Sequence, residues 1–399
     1  MHPADEIRHI KSKKLHKKRI VLGVTGSIAA VETIHLAREL IRHGAEVYPV
    51  MTKSATHIIH PYSLEFATGN KTITELTGKT EHIYFCGKTK KPADLLLIAP
   101  CTANTISKIA HGIDDTPVTT FATTAIGSQI PIIIVPAMHI SMYNHKTLQE
   151  NISRCKKMGI SFIEPHITKN KAKIADIEEI VEHVIRKTGK QDYKNKKILI
   201  IGGATAEPID DIRILTNRSS GKTSIALAKK AFERGAEVEL WYGHGKEKTP
   251  KYITVKNFET TNDLNKLIKK TNKKHDYIIL CAAIADYMPK KQDGKIPSGK
   301  KRLTIQLLPT PKILQQLKTH ATNKKTTIVA FKAEEKKHLL KEKAYNLLQK
   351  NQIDYVVGNT LSAFGSDKTE ILIVDKKGKT IYKKGKKEEI ADHILDTIK

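Results

Sequence analysis

Cysteine is scarce in this chain of 399 residues: Cys86, Cys101, Cys155 and Cys281, with no CxxC pair and no zinc-ligand spacing. That argues against a disulfide framework or a structural metal and fits a protein kept reduced in the cytoplasm. Aromatic residues reach only 5%, with one tryptophan, so a base-stacking platform for nucleic acid has little to be built from. No apolar run approaches the ~18–20 residues of a membrane helix, and no signal peptide is read at the start. Acidic residues are the last shortage: 41 against 69 Lys and Arg, a formal +28. Such an excess alone points to nucleic acid, an anionic membrane or polyphosphate ligands.

What is present is an alternation. After a polar, basic tail over residues 1–18, short β-branched runs (Arg19–Val24, Glu46–Met51, Leu95–Ala99, Ile132–Val135, Ile160–Ile163) alternate with helical patterns such as Ser27–Arg42. The chain turns polar around Thr188–Lys197, and the alternation restarts: strands at Lys197–Ile201, Glu237–Trp241, Tyr277–Cys281, Thr327–Ala330 and Tyr355–Val357, with a helix over Gly221–Arg234. This is the pattern of parallel sheets covered by helices on both faces. The expectation is two three-layer, Rossmann-like α/β domains, residues 19–190 and 191–399. Pro289–Arg302, rich in Lys, Pro and Gly, reads as a mobile loop. Up to Lys190 there are 26 basic and 17 acidic residues; beyond it there are 43 and 24, so most of the excess lies in the second part.

The first strand runs into Gly23-Val-Thr-Gly26-Ser27-Ile-Ala-Ala. Glycine at a strand-to-helix turn lets the backbone approach a ligand, and the helix N-terminus offers N–H groups to a phosphate. The second strand ends in Met51-Thr52-Lys53-Ser54, with no acidic residue to hold a ribose, which favours a monophosphate such as flavin mononucleotide over a dinucleotide. A tight strand–helix turn with no ligand explains the glycines equally well. Pro100-Cys101-Thr102-Ala103-Asn104-Thr105 and Pro136-Ala137-Met138-His139 come after two further strands, and His82 stands alone in Glu81-His82-Ile83.

In this order and spacing these motifs resemble the flavin-dependent cysteine decarboxylases, which implies a flavodoxin-like first domain. The resemblance places flavin mononucleotide on Gly26, Ser27, Thr52, Ser54, Pro100, Thr102, Asn104 and Thr105, and the essential histidine on His82. It places the group that contacts the substrate carboxylate on His139, where the family usually has Asn. A second departure is the absence of the flap cysteine that returns a proton. The matching segment is Asn170-Lys-Ala-Lys-Ile-Ala-Asp176, which leaves Lys171 and Lys173 as candidates; Cys155 lies upstream in a helical pattern.

The second half carries GATAEPID (Gly203–Asp210), Thr216-Asn217-Arg218-Ser219-Ser220-Gly221-Lys222, Ala282–Tyr287, Pro309-Thr-Pro311-Lys312 and Phe331-Lys-Ala-Glu334. A P-loop is ruled out because Thr216 stands where GxxxxGK[ST] needs glycine. Ser219, Ser220 and Gly221 remain a phosphate cradle at a helix start. A Lys-rich solvated loop beside a sheet is the plain reading of the rest. The ordered set resembles the ligase half of the bifunctional phosphopantothenoylcysteine decarboxylase/phosphopantothenate–cysteine ligases. The two resemblances together cover nearly the whole chain from Lys18.

They imply a cytoplasmic enzyme of coenzyme A biosynthesis that activates 4′-phosphopantothenate with CTP as an acyl-cytidylate, attaches L-cysteine, and decarboxylates the product. Lys295, with Mg²⁺ (or Mn²⁺) carried by the nucleotide, would neutralise the α-phosphate, and Asn217 would lie at the acyl-cytidylate. Ala282, Asp286, Pro311, Lys312, Ile313, Leu314 and Phe331 would contact the nucleotide, with Lys343 and Lys350 as further candidates. Trimeric decarboxylase halves and dimeric ligase halves, up to a homododecamer, are implied in the same way. The alternatives are a working ligase beside an altered decarboxylase and, on charge alone, a nucleic-acid-binding protein with a steep salt dependence. No nucleic-acid or membrane partner is expected.

Overall fold

In the computed structural model, residues 2–399 are described apart from 272–274, 300, 324 and 361–365. The chain falls into two compact units, Met1–Lys190 and Gln191–Lys399.

The first unit is built on β1 (Arg19–Val24), β2 (Glu46–Met51), β3 (Leu95–Cys101), β4 (Ile132–Pro136) and β5 (Ser161–Phe162), in the order β2-β1-β3-β4-β5, all parallel. Period-two alternation supplies both faces of this sheet. Ile20, Leu22 and Val24 join Leu36, Leu40 and Ile41 of α1 (Thr33–Arg42) on one side. Val21 joins Ile106 of α2 (Ala103–His111) and Phe121 of α3 (Pro117–Gly127) on the other. The helix expected from Ser27 opens instead as a 3₁₀ turn, Ile28–Glu32, because the Thr33 hydroxyl bonds back to the Ala30 carbonyl and tightens the entry to α1. The strand expected over Ile160–Ile163 pairs through only two residues, as a short sheet edge.

The basic tail is not free. Ala4 and Leu15 are buried in the α1 core, the Leu15 N–H bonds His43 O at 2.9 Å, and Arg8 Nη1 bonds Ala45 O at 2.6 Å. The last turn of α1 leaves carbonyls without intrahelical partners, and this segment supplies donors and cations to them.

In the second unit, β6 (Lys197–Gly202), β7 (Glu237–Tyr242), β8 (Thr254–Asn257), β9 (Tyr277–Leu280), β10 (Thr327–Glu334) and β11 (Tyr355–Thr360) are parallel in the order β8-β7-β6-β9-β10-β11. An antiparallel pair, β12 (Lys368–Asp375) and β13 (Thr380–Lys386), extends the β11 edge. The run Lys383–Lys387 thus ends an edge strand, where exposed Lys383, Lys384 and Lys386 discourage pairing with another chain. Helix α4 (Lys222–Glu233) and the terminal helix α6 (Lys387–Ile398) share a core through Leu227, Ala231, Ile390 and Ile394. Helix α5 (Lys337–Asn351) covers the opposite face with Leu340, Ala344 and Leu348. No described helix is long and apolar enough to cross a membrane.

Candidate active sites

In open α/β sheets a ligand crevice forms where the strand order reverses, outside the carboxyl ends of the two central strands. In the first unit that point lies between β1 and β3, and the motifs Gly23–Ala30 and Pro100–Thr105 meet there. Thr25, 1% exposed, donates its hydroxyl to Pro100 O at 2.9 Å and accepts the Thr102 N–H at 3.0 Å. Ser27 Oγ reaches Ala137 O at 3.1 Å, which brings in the loop after β4. A Cβ on Gly26 would come within 2.5 Å of Ser54 Cβ, so glycine is what lets the β1 and β2 turns close. Thr52 caps the turn Lys53–Thr56, and Thr102 caps α2 through the Thr105 N–H at 3.3 Å. The crevice is therefore rimmed by small hydroxylated residues at helix starts, with Ser54 and Asn104 exposed beside them.

His82 lies on the short helix Glu81–Cys86, entered through Thr80 at φ +50°, a rare conformation for a β-branched residue. It is half-buried, and its Nδ1 is buried with no hydrogen-bond partner among the described residues. His139 is exposed; its Nδ1 accepts the Ser141 N–H at 3.3 Å and sits 2.6 Å from Ser141 Oγ. That assigns the neutral-ring proton to Nε2, leaving a donor free for an anion. Met138–His139 pairs antiparallel with Lys171–Lys173, and Lys171 stands directly opposite His139. The two thus share one face of a small sheet. Cys155 is fully buried in the helix Lys146–Lys157, and burial pushes its thiol up to about 11, so it offers no proton here.

In the second unit the order reverses between β6 and β9, and there a cleft of about 980 Å³ opens. Thr205, fully buried, joins the two sides: its N–H bonds Ala283 O at 3.2 Å and its hydroxyl accepts the Ala285 N–H at 2.9 Å. Gly203 sits at φ +79° against the Gly243 backbone, a position any side chain would crowd. Asn217, Ser219, Ser220 and Gly221 line the cleft, with Asn217 Nδ2 bonding Ala283 O at 3.0 Å. Ala282, Asp286, Pro311, Lys312, Ile313 and Leu314 form another wall, where Lys312 Nζ meets Asp286 Oδ1 at 2.8 Å. Phe331 and Lys350 also line it.

Two sequence-level candidates lie outside the lining: Lys343 pairs with Glu334 at 2.6 Å, and Lys295 is exposed on its loop. That loop is anchored over 291–296 rather than free. The Asp210 carboxylate takes N–H bonds from Ile212, Arg213 and Ile296 and pairs with the Arg213 guanidinium. Burial opposes its ionisation, but these donors hold it well below the usual carboxylate range. Lys291 adds an ion pair to Asp211 at 2.6 Å; residue 300 lies outside the described residues. Sequence reasoning missed Thr25 and Thr205 as fasteners and Arg218, Lys222, Lys332 and Lys387 as cleft cations. All but Lys387 stand inside the sequence motifs, so a buried hydroxyl or a cation beside a glycine turn was the available signal.

A Rossmann-type flavoprotein joined to a second nucleotide-type α/β unit is the class these two crevices define. The family description "Flavoprotein" matches residues 8–189, and "DNA/pantothenate metabolism flavoprotein C-terminal domain" matches residues 193–399. The coenzyme A biosynthesis bifunctional protein CoaBC of Thermococcus kodakarensis is 46% identical over 404 residues, covering 100% of this chain and 99% of the relative. The protein of that name from Methanocaldococcus jannaschii is 40% identical, covering 100% and 98%. A crystal structure of the C-terminal domain of such a protein is 30% identical, with TM-score 0.45, covering 52% of this chain and 96% of that one. The chain belongs to the family of coenzyme A biosynthesis bifunctional proteins. It is a bifunctional enzyme, a decarboxylase joined to a ligase.

Proposed function

We propose that residues 191–399 join L-cysteine to 4′-phosphopantothenate at the expense of CTP, and that residues 19–190 decarboxylate the product with flavin mononucleotide to give 4′-phosphopantetheine. The observation that carries this reading is that each motif set converges on its own unit's crevice, rimmed by hydroxyls in the first and lined by cations in the second.

The first crevice fits a flavin on two counts: the approach that only Gly26 permits, and the Thr25 hydroxyl that fastens the β1 and β3 turns together at the switch point. Gly26, Ser27, Thr52 and Ser54 would hold its phosphate, and Pro100, Thr102, Asn104 and Thr105 its ring system. When bound, the flavin takes two electrons from the cysteinyl side chain and returns them after CO₂ has left. His82 would accept a proton from the substrate, and His139 would donate from Nε2 to its carboxylate. Lys171, opposite His139, would return the proton that a flap cysteine supplies elsewhere, with Lys173 as the second candidate.

In the ligase unit, Asn217 would orient the activated acyl group, and Lys295, exposed on its anchored loop, would meet the α-phosphate through its long side chain or after those anchors release. The metal, Mg²⁺ or Mn²⁺, would arrive on the triphosphate. Ser219, Ser220 and Gly221 offer phosphate contacts at the start of α4. The assembly is proposed as a homo-oligomer, decarboxylase halves in threes and ligase halves in pairs. Exposed Ile28 beside the first crevice, Ile83 and Tyr84 on the helix Glu81–Cys86, and Ile214, Tyr287 and Leu307 on the hairpins of the second unit support such contacts. With four free thiols, the reduced cytoplasm is the proposed compartment.

Anaerobic turnover of the purified chain with 4′-phosphopantothenate, cysteine and CTP tests this. The expected result is one pyrophosphate and one CO₂ per cycle from a yellow protein. Pyrophosphate without CO₂ would leave an active ligase beside an altered decarboxylase, and neither product would sink the reading.

A further inference from the structure

The part of the second cleft walled by the N-terminus of α4, by Thr369 on β12 and by the start of α6 contains an ammonium with no role so far. Lys387 is 8% exposed yet lines the cleft, and its side chain has no hydrogen-bond or ion-pair partner among the described residues. Lysine is almost never this buried unless paired, because desolvating an ammonium is costly. Its neighbour Asp367 is already engaged: Oδ1 pairs with Lys222 Nζ at 2.6 Å, and the carbonyl accepts the Lys387 N–H at 3.0 Å. Burial first, then Lys222, lowers the Lys387 pKa, while Asp367 and Glu247 oppose that shift.

A second, separate feature faces the same space. Helix α4, twelve residues long, starts at Gly221 (φ +80°), which has no side chain to cap it; the Lys222 N–H makes one long bond, 3.5 Å, to Ser220 Oγ, and the positive end of the dipole faces the cleft beside Ser219 and Ser220. A buried ammonium with no hydrogen-bond or ion-pair partner among the described residues and a helix start with no N-cap side chain both call for a compact, multiply charged anion. We propose that Lys387 is a specificity residue of the ligase unit, its ammonium receiving a phosphate group of a substrate together with Ser219, Ser220 and the α4 N-terminus. The proposal rests on the ligase reading above. Two sources carry this chemistry: the terminal phosphates of the nucleotide and the phosphate monoester of the acyl substrate.

Lys387→Met in the full chain separates the possibilities. The ligand-free variant should melt at or above the wild-type temperature, since a buried ammonium without an ion-pair partner has gone, and should lose the stabilisation that inorganic pyrophosphate or phosphate gives the wild type. Loss of one charge-assisted contact corresponds to roughly ten- to hundredfold in affinity. A rise of that size in KM for CTP, with KM for 4′-phosphopantothenate unchanged, assigns the subsite to the triphosphate. The converse assigns it to the monoester, and the variant should then treat pantothenate and its phosphate alike. Lys387→Arg should retain part of the binding in either case. Both KM values within twofold of wild type, with pyrophosphate still stabilising, would overturn the proposal. So would a lowered melting temperature in both Lys387→Met and Lys387→Gln without ligand, the mark of a structural lysine. Titration calorimetry with pyrophosphate and with phosphate does not depend on turnover. If the wild type binds either anion and Lys387→Met does not, the subsite stands even where ligation fails.

Discussion

Thr25 and Thr205 occupy matching places in the two units. Each comes just after the first strand of its sheet, each is buried, and each hydrogen-bonds across the switch point to the turn after the neighbouring central strand. The two chains of residues beyond these threonines take different courses. After Thr25 the chain passes through Gly26 directly into a helical turn, and the rim is made of hydroxyls that cap short helices. After Thr205 it leaves on the hairpin Ala206–Pro208/Ile214–Thr216 before returning at Asn217 to start α4. That excursion leaves room for the wide cleft and brings Arg218 and Lys222 to its wall. The same fastener thus serves a crevice rimmed by helix-capping hydroxyls in the first unit and a wide cleft lined by cations in the second.

The sharpest way to test the division of labour is to stop one unit alone. His82→Asn removes the proposed base and should lower CO₂ release by about 10²–10⁴-fold, with flavin absorbance and pyrophosphate release unchanged. If ligation also falls, the units are not independent. Lys295→Ala should do the reverse, cutting ligation about 10²–10³-fold while phosphopantothenoylcysteine supplied directly is still decarboxylated. Because Lys295 lies outside the cleft lining, unchanged ligation in this variant would show that its side chain never reaches the nucleotide.

How far the sequence foretold this depends on where the information sits. The parallel strands were legible because sheets buried on both faces need unbroken apolar runs, as in Ile198–Ile201 or Leu95–Ala99. The pair β12–β13 was not: Thr380–Lys386 is Lys-rich on an exposed edge and reads as surface. The docked N-terminal segment hid because Leu15 is one apolar residue among cations, with a partner surface that exists only once α1 is formed. The anchored loop depends on an N–H bond from Ile296 to Asp210, 86 residues apart, beyond any local pattern. Lys387 could not be told from Lys386 in sequence, yet one is buried at a cleft and the other solvated.

The fasteners themselves predict equal and separable damage. Thr25→Val would strand the Thr102 N–H and leave the Pro100 carbonyl with only the Thr25 N–H as donor, and Thr205→Val would strand the Ala285 N–H. Each should cost about 2–3 kcal/mol, read as a lower urea midpoint for the unit concerned, with the other unit's transition unmoved. Transitions that shift together would break the comparison by showing that the units unfold as one.

Acidification should separate the units by a smaller margin and in a definite order. Burial, with Arg186, holds His183 in the first unit down at about 4 from the usual 6.5, so its folded form resists protonation. The unfolded chain then binds the extra proton first, and stability is lost as pH falls from 6.5 towards 4. In the second unit Glu239 is held at about 2, first by its hydrogen bond to His275 and then, against burial, by Lys256 and Trp241. That contribution is complete above 4.5 and disappears only as pH falls from 4.5 towards 2. Each group is partly solvated, so about 1–2 kcal/mol is expected from either. Urea midpoints between pH 7 and 3 should therefore show the first unit weakening before the second. His183→Gln should flatten the upper limb and Glu239→Gln the lower. If the limbs exchange variants, burial of the imidazole is not what makes the first unit acid-sensitive.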